Sequence, residues 1–324
     1  MKSTSKTLLA LLVATACTVG GMGSAMGAEQ KKRTVASKKS AQTEARVAKK
    51  YRASYARQQA APAAAEAGDG LLPKLSSAAV AVIDQSTGDV LYEKNAGTVV
   101  PIASITKLMT AMVALDAQPN LAEILTVSDE DVDMLKGTHS RLSVGTRLTR
   151  EEMLRLALMS SENRASSALS RHYPGGRPAF IAAMNFKAQE LGLNETRFAD
   201  PTGLTPANVS SARDLVKLVS AAHQYPLIRE FSTSEQYQVA IKGRPHTFRN
   251  TNALVRNDGW NIGLSKTGYI SEAGKCLVMQ AWLNNKPLII VLLDSWGKVA
   301  RISDAQRIKR WVESIAGNGA AFRS

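Results

Sequence analysis

Apolar and polar positions divide the chain into three unlike stretches. Leu8–Val19 is a short apolar run, preceded by Lys2 and Lys6 and followed by small residues up to Ala28. It is too short for a comfortable membrane span and has the flanks of a secretory signal peptide over residues 1–28. From Glu29 to about Gly70 large aliphatics nearly vanish, and Ala, Lys, Arg, Gln and Ser take their place. Such a stretch cannot bury enough apolar surface to offset its ordering entropy, so 29–70 is expected to be a disordered tether.

From Leu71 the patterning is that of a folded domain, expected over 71–318 with a tail at 319–324. Ala78–Asp84 predicts a buried strand, 85–89 a turn and Val90–Glu93 the return strand of a hairpin. Ser104–Asp116 is apolar on every side, which predicts a central buried helix. Thr149-Arg150-Glu151-Glu152 predicts a capping box opening a helix to about Met159. Further helices are predicted at Asn163–His172, Pro178–Leu191 and Ala212–His223. Strands are predicted at Tyr237–Ile241, Gly263–Thr267, Cys276–Leu283 and Leu288–Leu293, and Ser303 or Asp304 caps a closing helix to Ile315. Hairpin, helices, strands, helix is the order of an α/β (α+β) domain: an antiparallel sheet built from both chain ends, flanked by helices, with an all-helical region inserted.

Charge changes this picture little. The net charge is +14, but residues 29–57 alone carry ten basic and two acidic side chains. The folded part is nearly balanced, which argues against a nucleic-acid partner; the basic segment could make weak contact with an anionic membrane or cell wall, or serve as a solvated spacer. Cys17 would leave with the signal peptide, so Cys276 stands alone in a strand-like run and is read as a small buried hydrophobe. His139, His172, His223 and His246 show no metal-ligand spacing, and no metal or cofactor is expected. Trp260, Trp282, Trp296 and Trp311 are read as core or cleft wall, with Trp260 placed to line a groove beside the Gly263–Thr267 strand.

Three short motifs carry the candidate chemistry. Ser104 and Lys107 lie three apart at the start of the central helix, so their side chains are neighbours. Burial lowers a lysine pKa, and a neutral amine beside a hydroxyl is a nucleophile–base pair. Ser161-Glu162-Asn163 falls at a helix junction, where Ser161 could move a proton and Asn163 could bond a substrate amide. Lys266-Thr267-Gly268 ends a strand; Lys266 and Thr267 suit an anionic group, and Gly268 allows close backbone approach.

In this order the motifs are those of penicillin-binding proteins and class A β-lactamases. Over about 71–315 the chain resembles the low-molecular-mass serine D,D-peptidases of family S11. Asp200-Pro201-Thr202-Gly203-Leu204 with Asn208 and Ala212–Leu215 resembles that family's post-motif segment, and Gly137-Thr138-His139-Ser140-Arg141-Leu142 resembles its penicillin-binding protein 7 endopeptidase group. The stretch after Gly268 is expected to have no room for the extra C-terminal domain of larger carboxypeptidases. The resemblance implies a β-lactamase/D,D-peptidase-like fold and a periplasmic endopeptidase that cuts D-alanyl cross-links of peptidoglycan and is acylated by β-lactams. A D-alanyl-D-alanine carboxypeptidase would use the same residues. It implies Ser104 as nucleophile, Lys107 as base, Ser161 as proton relay, Asn163 as substrate ligand, Lys266, Thr267 and Gly268 around the anionic end, and the backbone N–H groups of Ser104 and Tyr269 as the oxyanion hole.

Overall fold

The computed structural model describes residues 72–321 apart from Lys298. The expected signal peptide and basic tether lie outside these residues, as do 322–324.

The strands are β1 (Ser77–Asp84), β2 (Val90–Lys94), β3 (Val100–Pro101), β4 (Ile124–Thr126), β5 (Arg147–Thr149), β6 (Val209–Ser210), β7 (Gln236–Ile241), β8 (Arg244–Arg249), β9 (Asn261–Ile270), β10 (Gly274–Leu283) and β11 (Lys286–Ser295). The helices are α1 (Lys107–Asp116), α2 (Arg150–Met159), α3 (Asn163–Arg171), α4 (Gly176–Glu190), α5 (Ala212–Ala222), α6 (Pro226–Thr233) and α7 (Ala300–Ala321). The main sheet runs β2-β1-β11-β10-β9 and all its pairings are antiparallel. Its centre joins the two ends of the domain, with Ser77 opposite Ser295 and Asp84 opposite Leu288. This is the predicted architecture.

Both faces of the sheet are covered, so its strands read as nearly continuous apolar runs. Ala79, Ala81, Val278, Ile289 and Val291 face the larger core, which includes Leu108, Met109 and Met112 of α1. Val80, Val82, Met279, Ile290 and Leu292 face a smaller core closed by Ile308 and Val312 of α7. Lys107–Ala114 are all buried, as a helix surrounded by protein must be.

Three expectations need correction. Ser303 and Asp304 do not cap α7, which begins at Ala300. The Asp304 carboxylate instead accepts hydrogen bonds from Ser76 N, Ser77 N and Ser77 Oγ, tying α7 to β1. The helix also runs to Ala321, so the tail expected from 319 begins inside it. Trp260 does not line the cleft; it packs in the smaller core, where the Lys309 ammonium lies 5.5 Å from its ring centre.

Candidate active site

The site is built around a turn that the sequence pattern takes for the start of a helix. Ala103–Thr106 form a 3-10 turn, and α1 begins only at Lys107. Ser104 is therefore not a helix cap. The turn opens on Ala103 at φ +48°, a left-handed conformation that a side chain rarely adopts. Tertiary contacts over-determine it. A Cβ on Gly203, itself at φ +81°, would lie 1.9 Å from Ala103 O, and one on Gly268 would lie 2.9 Å from Ile102 O and 3.0 Å from Ser104 N. Both positions must be glycine for the loop and the strand to approach this closely. Thr106 Oγ1 donates to Ala103 O at 2.8 Å and accepts from Asn208 Nδ2 at 3.0 Å.

Lys107 is fully buried. Its Nζ lies 2.9 Å from Ser104 Oγ, 2.8 Å from Asn163 Oδ1 and 2.7 Å from the Thr202 carbonyl oxygen. Burial lowers its pKa to about 7, against the opposing pull of Asp200 and Glu162. An amine in the neutral state has two hydrogens and one lone pair. The Thr202 carbonyl and Asn163 Oδ1 can only accept, so they take both hydrogens. The lone pair is left facing the Ser104 hydroxyl, which is the geometry of a general base.

On the other side of the cleft Lys266, also fully buried, places Nζ 2.9 Å from Ser161 Oγ and 2.9 Å from Thr267 O. Burial, with Lys107 and Arg301 adding repulsion, holds its pKa well below the ordinary lysine value. Ser161 sits between α2 and α3 at φ +61°, so both site serines are set by left-handed backbone. Thr267 Oγ1 donates to Thr251 Oγ1 at 2.7 Å. The Tyr269 side chain is exposed. Strand β9 is the outer strand of the sheet, so its free edge can pair with an extended peptide.

The structure thus brings Ser104, Lys107, Ser161, Asn163, Lys266 and Gly268 into one cleft. Ser161 is engaged with Lys266; no hydrogen bond joins it to Ser104 or Lys107 among the described residues. No group of three or more His, Cys, Asp or Glu among the described residues could hold a metal. Cys276 is buried, and burial pushes its thiol up to about 12, which removes it as a nucleophile.

Several contributors escape motif reading. The Thr202 carbonyl is aimed by Asp200, whose carboxylate accepts from Thr202 N, Gly203 N and Thr202 Oγ1. Asn208 in turn bonds Asp200 and accepts from Ala199 N and Asp200 N. The resemblance of this segment marked it, but not the carbonyl it presents. Arg301 of α7 donates to Gly268 O at 3.1 Å and Cys276 O at 3.3 Å, and no local pattern announces it.

Chemically, a hydroxyl facing a buried amine, beside a strand carrying a second buried lysine, can attack an acyl carbon whose other end is anionic. The sequence pattern of the peptidase S11 family, D-alanyl-D-alanine carboxypeptidase, matches residues 64–297. A D-alanyl-D-alanine endopeptidase of Pseudomonas aeruginosa is 49% identical over 251 residues, covering 77% of this chain and 81% of that protein. One of the same name from Escherichia coli is 49% identical over 244 residues, 75% of this chain and 79% of its own length. Among solved structures, the Streptomyces K15 DD-transpeptidase superposes with a TM-score of 0.69 at 31% identity, covering 74% of this chain and 97% of its own.

Proposed function

Given that the chain belongs to the peptidase S11 family, we propose that it is a serine D-alanyl-D-alanine endopeptidase that opens peptide cross-links of peptidoglycan. Ser104 Oγ attacks the D-alanyl carbonyl while its proton passes to Lys107 Nζ. The oxyanion that forms is held by the N–H groups of Ser104 and Tyr269. Collapse breaks the amide, and the proton held by Lys107 passes to the leaving amine with Ser161 as relay, which returns Lys107 to its neutral state. Water then attacks the ester, gives its proton back through Lys107, and frees Ser104. Lys266 and Thr267 hold the carboxylate beside the scissile amide, and Asn163 Nδ2 bonds the acyl-donor amide.

One observation carries this reading: a fully buried lysine 2.9 Å from the serine, its two other neighbours both acceptors. β-Lactams, whose cyclic amide carries a carboxylate in the same relation, should acylate the same oxygen. The high identity to relatives named endopeptidases favours cross-link cleavage over trimming of a terminal D-alanine. The apolar run at Leu8–Val19 supports a periplasmic location. Cross-linked dimeric muropeptide and monomeric pentapeptide, incubated separately with the protein, decide the matter. Conversion of dimer to monomers is expected; release of D-alanine from the pentapeptide with the dimer left uncut overturns the endopeptidase reading. Peptide mapping after penicillin treatment should place the adduct on Ser104.

A further inference from the structure

The lone pair of Lys107 points at Ser104 only if Asn163 presents its oxygen, not its nitrogen, to Lys107. The two ends of an amide are nearly the same size and the side chain can rotate to exchange them, so something must fix the choice. In this chain the fixing group lies on the Asp133–Leu142 segment. Thr138 Oγ1 stands 2.8 Å from Asp133 Oδ2 and 3.1 Å from Asn163 Nδ2. The Asp133 carboxylate also takes the backbone N–H groups of Leu135, Lys136 and Thr138; partial burial pushes its pKa up, and these bonds together outweigh burial and lower it. An ionised carboxylate is acceptor-only. The Thr138 hydroxyl hydrogen therefore goes to Asp133, and its oxygen is left as an acceptor. Among the described residues, the donor that meets it is Asn163 Nδ2.

We propose that Thr138, polarised by Asp133, is a positioning residue that sets the orientation of the Asn163 amide and through it aims the Lys107 lone pair at Ser104. The order is Asp133 carboxylate, Thr138 hydroxyl, Asn163 amide, Lys107 amine, Ser104 hydroxyl, each a hydrogen bond whose direction is dictated by the one before. With the amide reversed, Asn163 Nδ2 would compete with Ser104 Oγ–H for the lone pair, and Ser104 would lose its base. The second Nδ2 hydrogen stays free for a substrate carbonyl, so orientation of the base and capture of the acyl donor depend on one rotamer. The segment is held independently of Thr138: Ser140 Oγ donates to Glu162 at 2.6 Å, Arg164 to Leu142 O at 2.8 Å, and Arg141 lies over the Phe248 ring at 3.7 Å. Loss of the Thr138 hydroxyl should therefore leave the fold in place.

The inference rests on Ser104 and Lys107 being the nucleophile and base. Its test is β-lactam acylation of the full-length protein, resolved into the initial binding constant and the acylation rate constant, for Thr138→Val, Thr138→Ser and Asn163→Ala, singly and combined. Thr138→Val should slow the acylation step about 10- to 100-fold with an unchanged melting temperature. Thr138→Ser should restore most of the rate. In the Asn163→Ala background Thr138→Val should cost nothing further, because the group it acts through is gone. Should Thr138→Val fail to fold, Thr138→Ala enters the same cycle. Wild-type acylation by the Val or Ala variant, equal impairment of Val and Ser, or an undiminished loss in the Asn163→Ala background each overturn the proposal. An adduct on a residue other than Ser104 would instead overturn the reading on which it rests.

Discussion

The two walls of the cleft each bury a lysine completely, and the two lysines are held in opposite ways. On the helical wall Lys107 has two acceptors and a serine for neighbours, with Asp200 and Glu162 close enough to pull its pKa back up against burial, to about 7. On the strand wall Lys266 has its own strand's carbonyl and a serine, and its charged neighbours, Lys107 and Arg301, are both cations. The first environment makes a base that can gain and lose a proton near neutrality. The second makes an anion-poor site whose charge balance an arriving carboxylate would complete, since an anion offsets what burial and like charge oppose. One residue type serves two purposes because the surrounding charges differ in sign.

The sharpest break of this contrast is Lys107→Met, which keeps the apolar stem and removes the amine. General-base catalysis is worth roughly 10²–10⁴-fold, so the acylation rate should fall by that order while the melting temperature holds. A loss under about tenfold would mean that another group takes the Ser104 proton. Lys266→Met should act on the other quantity. Removing a charge-assisted hydrogen bond costs about 1.5–3 kcal/mol, so capture of a carboxylate-bearing substrate should weaken by about 10- to 100-fold. The same variant should matter little for a substrate analogue whose carboxylate is amidated; equal losses for both would erase the distinction between the walls.

Acidity sharpens the comparison further. Only the neutral amine of Lys107 has a lone pair, so acylation should rise with pH and level off above about 7, falling about tenfold per pH unit on the acid side. The residual rate of Lys107→Met should be flat across that limb. The smallest effect lies across the sheet. Ile308→Val, in the core beneath α7, should lower stability by about 0.5–1.5 kcal/mol in denaturant titration and leave acylation unchanged. A change in acylation there would show that the far face is coupled to the chemistry.

The motifs were legible in the sequence because each is local: three residues along a helical turn, two at a helix junction, three along a strand. The antiparallel sheet from both chain ends was legible because its strands are long and apolar. The two-residue ladder of β3 with β6 is too short for any periodicity to register. Strand β8, Arg-Pro-His-Thr-Phe-Arg, carries a single buried residue, Phe248, and Pro245 within it, a composition that disguises a strand. Helix α6 opens on Pro226 at its first turn, a signal present in the sequence but outweighed by its shortness. The Thr202 carbonyl and the Thr138 hydroxyl were beyond reach for a different reason. Each acts on a residue brought to it by folding, and a backbone carbonyl or a loop threonine has no distinguishing pattern of its own. Asp304 looked like a cap because the residue type suits one; its carboxylate was needed by β1.

That last contact bears on how the chain becomes an enzyme. The Ser77 hydroxyl meets that of Ser295, 218 residues later, at 2.7 Å, and Asp304 clasps the same strand. The central pair of the sheet therefore cannot form until nearly all of the chain has been made. Loop-closure entropy makes such distant pairing slow, and until β11 arrives β1 and β2 have only each other, a two-stranded hairpin that is marginal in water. Strand β9, with Lys266 and Gly268, likewise waits for β10 and β11 to tie it to β1. The hydrolytic site is thus assembled among the last events of folding, and a growing chain has no finished cleft with which to cut anything before it is complete.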